Sequence, residues 1–462
     1  MSDKTIASYL ARAAANTKFS KLPEVTRAKT LEILLDTLTV FSAGSVRKKH
    51  KDLAHRLSES SGKSTVLGHS KPTGALQAAF INGTTPTVYQ MDEGHRISRG
   101  HPAIHVFPAT FAVAEEKGYS AEEFLSAFVV GYEIAVRVGV SLGGVKLSFH
   151  PHGNWPVIGT AAAVAYLESG ADPEAIERAI DASAAVTLFA DRTSTKQGNG
   201  IHHLHPAIGA TIGVEVGTAA AAGFDGSPGA LENFFGPTAG ANFSKDALLA
   251  GVDISAGNFS NYEIENNYIK LWAACGHTHT AINAIEQVLE SGRLTPDNVE
   301  RVNVRAFAAA ASLKDQELTN EMAARYSIPY VVAAAIRDGK YLPDALSDDG
   351  LLDPEISRLA KIVNVEHDPK LDAGYPLGGR PLELTVLYKD GTSEDVAAIL
   401  SLGDREMPAS RERVVEKSRE LLTKRFDTEG AEEIISAVLA IEDKGIEAIS
   451  IAVRSAAARV EE

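Results

Sequence analysis

Cysteine is nearly absent from this sequence: Cys275 is the only one in 462 residues. A single thiol excludes an intramolecular disulfide framework and any zinc or iron–sulfur cage built from cysteines. Basic residues are outnumbered, with 45 Lys and Arg against 60 Asp and Glu, and the net charge of −15 opposes nucleic acid as a partner. Long apolar runs are missing too. Stretches such as Ala161–Leu167 and Ala219–Ala222 fall far short of the ~20 residues needed to cross a bilayer, so no membrane association is expected. Met1-Ser-Asp-Lys-Thr5 carries no basic region followed by an apolar stretch and cleavage site, and a cytoplasmic location is expected. Ser61-Gly-Lys-Ser64 ends like a phosphate-binding loop, but Leu57 stands where the first glycine belongs, and no G-x-G-x-x-G opens a helix after a strand. Chemistry must therefore rest on side chains.

What is present is an ordinary globular balance, 44% hydrophobic and 23% charged, in a chain long enough for two domains. The first part reads as helix after helix. Val25, Ala28, Leu31, Leu35 and Leu38 share one helical face, Ser120-Ala-Glu-Glu123 forms a capping box before Phe124–Val140, and Asp172-Pro173 opens another helix. Alanine and glycine recur between 156 and 223, which predicts helices at close approach. Near residue 295 the texture changes. Val299–Phe307, Ala360–Glu366 and Leu382–Tyr388 read as strands, the last running into the turn Lys389-Asp-Gly391, with a helix over Tyr330–Arg337 between them. The reading is a mainly α protein: a large all-helical domain over 1–265, a smaller inserted α+β lid domain over 266–400, and C-terminal helices over 401–462 returning to the first domain.

Ten of the 14 histidines lie between His95 and His279, in clusters. Met91-Asp-Glu-Gly-His-Arg-Ile-Ser-Arg-Gly-His-Pro102 packs carboxylates, arginines and histidines into one loop, suited to binding a carboxylate and handling a proton; a solvated polar loop is the bland reading. His150 and His152 precede a small-residue helix whose first amides attract anions, and either imidazole suits general-base work. His202-His-Leu-His205 suggests metal ligands, but on an extended chain only His203 and His205 share a side, so no metal is expected. Lys270 precedes small residues running to His277 and His279. Cys275 within that run is read as packing rather than as a nucleophile.

Taken in order, Ala79-Phe-Ile-Asn-Gly-Thr84, Asp92-Glu93 to His101-Pro102, Gly131-Tyr-Glu133, Phe149-His-Pro151, Leu204-His205, Ala221-Ala-Gly-Phe224, Lys270 to His279, Ser327-Ile-Pro-Tyr330 and Arg380-Pro381 resemble the MmgE/PrpD family over nearly the whole chain. The resemblance implies a homodimer with a cofactor-free, metal-free site between a helical domain and a lid. It carries the catalytic histidines onto His101 and His150, a lysine onto Lys270 and a lid tyrosine onto Tyr330. Two departures stand out. Gln90 replaces a carboxylate of the family's acidic cluster, and His202 stands where the family has a lysine.

Those departures place in first position a cofactor-independent epimerase or racemase of a small di- or polycarboxylate of the iminodisuccinate type. Inversion needs a base on each face of the carbon, and His101 opposed by His150 or His202 would supply them. Lys270, Arg96, Arg99, Arg380 and His277, with Asp92 and Gln90, would bind the substrate carboxylates and steady the developing charge. The alternative is a lyase of the same family, dehydrating a 2-methylcitrate-like or decarboxylating a cis-aconitate-like acid. A non-catalytic carboxylate-binding protein is the third reading.

Overall fold

Helices crowded by small residues make up the N-terminal part. The structure, a computed structural model, describes residues 5–58, 61–318, 320–351 and 353–461; residues 1–4, read above for a leader, lie outside the described residues. Helix Pro156–Ser169 is buried from Pro156 to Leu167 and packs between helices Ala121–Ser141 and Leu204–Ala221. The first of these contacts is backbone on backbone. A Cβ added to Gly159 would lie 2.1 Å from the Gly131 carbonyl oxygen, so only glycine permits this crossing.

Local signals account for several boundaries. Ser120 and Glu123 form the reciprocal capping box, the Ser120 N–H donating to Glu123 Oε2 at 2.8 Å, and Asp172 caps helix Pro173–Ala184. Helix Glu24–Gly44 differs from its expected face: Val25 is 61% exposed, Ala28 is exposed, and burial runs unbroken from Ile33 to Gly44. A helix wrapped by neighbours on all sides has no single apolar face for periodicity to reveal. Helix Ala121–Ser141 is long and apolar enough to cross a bilayer, although polar residues interrupt its apolar runs; 94% of its most apolar stretch is buried inside the protein, as in a core helix.

Residues 299–398 build a four-stranded sheet in the order Val363–His367, Val299–Ala306, Leu382–Tyr388, Ser393–Ala398. The first pair is parallel and the others are antiparallel. Leu382, Leu384, Val386 and Tyr388 are buried in strict alternation and helices His279–Glu290 and Ile328–Asp338 pack onto the sheet. The expected strand from Ala360 begins only at Val363, because Asp353 and Pro354 start a helix that runs to Ala360.

The C-terminal helix Arg411–Leu422 packs on Glu24–Gly44. Between them lies an ion pair sealed from solvent, Lys417 on Asp36, and the Lys417 ammonium also donates to the Met91 carbonyl oxygen at 2.8 Å. Burial raises the Asp36 carboxyl and lowers the Lys417 ammonium, each against the pull of the other. Removing one partner leaves a naked buried charge, so Lys417→Met should cost roughly 3–5 kcal/mol in urea unfolding, and adding Asp36→Leu should recover most of it. A Lys417→Met protein as stable as the parent would show that the pair carries no structural weight.

Candidate functional site

A two-residue strand pair sets the centre. Gly94–His95 runs antiparallel to Asn267–Tyr268, with Gly94 opposite Tyr268. A Cβ on Gly94 would come within 2.5 Å of the Tyr268 hydroxyl, so the close register needs glycine. That register brings Asp92 and Lys270 together, Nζ to Oδ1 at 3.2 Å, both side chains 1% exposed. On the other carboxylate oxygen, His101 Nδ1 lies 2.9 Å from Asp92 Oδ2. Burial alone would raise the Asp92 carboxyl, but His101 and Lys270 outweigh it and hold the group far below the usual carboxylate range.

The same Nδ1 lies 2.5 Å from the Glu93 carbonyl oxygen. A carbonyl only accepts, so Nδ1 carries a hydrogen, and in the neutral ring Nε2 is the nitrogen with the lone pair. No described residue hydrogen-bonds to that Nε2, which makes His101 an oriented base. Glu93 supports it from behind, accepting from the Ala103 N–H at 2.8 Å and the Tyr132 hydroxyl at 3.0 Å; burial pushes its carboxyl up to about 8 against those donors.

Next to His101 the imidazoles form one buried group. His152 touches His101, His150 and His202, with ring centroids at 5.3, 4.4 and 5.1 Å. The 202–205 segment is not extended: Gly200–His203 is a 3-10 turn leading into helix Leu204–Ala221, so His202 and His205 face the site together. This corrects the pairing of His203 with His205. His203 turns away, its Nδ1 2.8 Å from Thr87 Oγ1 and its ring against His50. His202 Nε2 lies 3.3 Å from the Gln90 amide nitrogen and Nδ1 lies 3.0 Å from Thr195 Oγ1. Gln90 adopts a left-handed conformation, φ 54°, to reach it. The two departures from the family pattern thus touch each other.

Cations gather around His277. Arg380 donates to Asp404 Oδ1 at 2.6 Å and lies 4.4 Å above the Tyr268 ring, while its Nε has no partner among the described residues. Arg192 forms no side-chain hydrogen bond or ion pair with a described residue; after burial, its charge is among the causes that hold His150 and His277 neutral. Arg99, exposed and at φ 57°, rests over the Tyr375 ring. His277 sits against Phe307 and Tyr375 with a buried Nδ1 left free, and burial takes it down to about 3. Such a surplus of positive charge fits a ligand with several carboxylates.

His101, His150, His202 and Lys270 therefore come together, with Asp92, Gln90, His277 and Arg380 around them. Two residues do not join. Tyr330 lies in the first turn of its helix with its hydroxyl taking the Leu318 N–H at 3.3 Å, and Tyr326 instead donates to Gln90 Oε1 at 2.8 Å. Arg96 is spent on Glu406 and on the carbonyls of Pro376 and Leu377, so it is a tie between segments rather than a substrate clamp. Tyr326, Tyr268 and Arg192 escaped sequence reasoning, whereas His152 is named there beside His150 as suited to general-base work; for Tyr326 the proximity to Ser327-Ile-Pro-Tyr330 was the only available hint.

Among the described residues, two sets have ligand-type atoms within 4.8 Å of one another, His150/His202/His205 and Asp92/His101/His152. Neither suits a dication well. His202 has both nitrogens engaged, and Asp92 already holds the Lys270 ammonium within a positive surround.

Comparison with known proteins gives two family matches, the MmgE/PrpD N-terminal domain over residues 8–246 and the MmgE/PrpD C-terminal domain over 272–443. The chain is similar to a cis-aconitate decarboxylase of Aspergillus terreus, 26% identical over 408 residues covering 83% of this chain and 82% of the relative. It is also similar to the human cis-aconitate decarboxylase, 26% identical over 471 residues covering 95% and 92%. A 2-methylcitrate dehydratase-like protein of Aspergillus oryzae matches at 26% over 193 residues, 39% of each chain.

The histidine cluster makes stability depend on acid. Burial takes His50 down to about 4, His105 and His202 to about 3 and His203 to about 2, and holds His150 and His152 well below 6.5. For bases depressed on folding, the stabilisation is complete above the unfolded value of 6.5 and is lost as pH falls through the folded values. The melting temperature should fall progressively from pH 6.5 towards 4, with proton uptake on unfolding at pH 5. Calorimetry showing flat stability over that range would overturn the neutral, buried assignment.

Proposed function

This chain belongs to the MmgE/PrpD family, and from that premise we propose that it is a lyase of a small polycarboxylic acid, using His101 as the base that removes a proton next to a carboxylate. The observation that carries this reading is the His101 tautomer: Nδ1 fixed by Glu93 and Asp92, Nε2 presented with its lone pair. Lys270 and Arg380 neutralise the carboxylate as charge moves onto it from the breaking C–H bond. The electron pair then expels a group from the adjacent carbon. If that group is hydroxide, the proton held on His101 passes to it and water leaves with a new C=C bond behind; decarboxylation instead needs no prior proton removal, carbon dioxide departing from a carboxylate without its bonding pair and a protonated His101 supplying the proton that quenches that pair.

A two-base epimerase asks for a second proton carrier facing His101. His202 is poorly suited, because burial takes it down to about 3 and both ring nitrogens already have partners. The names of the relatives, decarboxylase and dehydratase, favour bond cleavage as well. In place of the family's carboxylate and lysine, Gln90 and His202 form a neutral pair, which leaves the Asp92–Lys270–His101 centre electrically unchanged.

His101→Asn keeps a donor for the Glu93 carbonyl but no base, and turnover of the acids that the parent cleaves should fall ~100- to 10,000-fold with the fold retained. Exhaustive chelation should leave turnover intact. Incubation with candidate polycarboxylates in deuterated water decides the reaction class: an alkene or carbon dioxide is expected, whereas deuterium at an inverted carbon without cleavage would restore the epimerase.

A further inference from the structure

His152 is an imidazole of the cluster that the proposed chemistry does not use. It follows Pro151 in the turn before helix Pro156–Ser169, and its side chain is 2% exposed. Among the described histidines it alone has both ring nitrogens buried without a protein partner. Its neighbours are committed. His105 places Nδ1 on the His101 carbonyl at 3.0 Å and takes the Gly153 N–H on Nε2 at 2.9 Å; His150 Nδ1 takes the His152 N–H at 3.2 Å; His101 and His202 are held as described. A ring atom of His152 lies within 4.8 Å of both an Asp92 oxygen and a His101 nitrogen, so the unmet groups stand at the reacting centre.

Two orphaned nitrogens in a buried side chain are costly unless a ligand meets them. The ring is buried and crowded by other imidazoles, which keeps it neutral, with one N–H donor and one lone pair. Carboxylates supply acceptors only. Lys270, Arg380, Arg192 and Arg99 already wait for them, and an N–H adds one more contact of the same kind. The lone pair needs a donor, and on an organic acid whose carboxyls are ionised that donor is a hydroxyl group.

We propose that His152 is a specificity-determining residue that recognises a hydroxyl group on the substrate, its lone pair accepting from that hydroxyl and its N–H donating to a neighbouring carboxylate oxygen. The inference rests on the lyase reading for its consequence: a hydroxyl held beside His101 is the group that leaves, which points to dehydration of a hydroxy acid rather than decarboxylation of an unsaturated one. In that step the C–H proton goes to His101, its electron pair becomes the new C=C bond, the C–O bond breaks, and the hydroxide departs as water with the proton from His101.

Two ligands that differ by the hydroxyl alone test this by calorimetric binding, independently of turnover: citrate and tricarballylate. The parent protein should prefer citrate by at least ~10-fold, since a site built to hydrogen-bond a hydroxyl rejects the analogue without it. His152→Phe keeps the ring but removes both nitrogens; it should abolish that preference while tricarballylate binding stays within ~3-fold. His152→Asn, which retains a donor and an acceptor, should keep part of the preference and covers the case in which the Phe variant misfolds. Equal affinity of the parent for the two ligands, a preference that survives His152→Phe, or equal loss of both ligands in both well-folded variants would each overturn the proposal. If the preference behaves as expected but no acid is cleaved, the hydroxyl site stands and the lyase reading fails.

Discussion

The buried pair between Asp92 and Lys270 is the interaction on which the site depends. It joins a loop of the helical part to the segment leading into the sheet-bearing part, across the short strand pair at Gly94 and Tyr268. A second sealed pair, Asp36 with Lys417, lies under the same loop and holds the Met91 carbonyl. Charges taken out of water in this way rarely add net stability, and their value is in specifying one arrangement. Here the arrangement fixes His101: without an ionised Asp92 on one side and the Glu93 carbonyl on the other, its ring would be free to choose either tautomer.

Around that fixed point the protein sets neutral imidazoles and cations close to one another. The imidazoles are neutral because they are buried together, and the cations stay charged because arginine does so under all ordinary conditions. A polyanion entering among them meets both a positive field and a set of polar groups with no net charge. Charge steers and neutral groups discriminate. Specificity is therefore more a property of the histidines than of the arginines.

Much of this was legible in the residues, for identifiable reasons. Ser120 and Glu123, Asp172 and Pro173, and the alternation from Leu382 to Tyr388 are local signals and gave the right elements. The family resemblance picked out His101, His150, Lys270 and Asp92 through their order along the chain. What escaped depends on geometry that spacing alone leaves undetermined. His202 with His205 share a face only because the chain coils there. Tyr326 reaches Gln90 because Ser327 caps the helix behind it, leaving Tyr326 outside the first turn, while Tyr330 inside it is rotated toward the core. Arg96 looked like a clamp because its partner Glu406 is 310 residues away.

The crossing of Gly131 over Gly159 bears on how such an enzyme changes over time. The helix containing Gly159 begins directly after the turn that carries His150 and His152, and the helix containing Gly131 contributes the Tyr132 hydroxyl that holds Glu93. With no side chain between them, the two backbones have no spare volume through which a mutation could nudge Glu93 relative to the histidine turn. Change is left to the side chains around the centre, as at Gln90 and His202, while the spacing of the backbones behind Glu93 and the histidine turn is inherited intact.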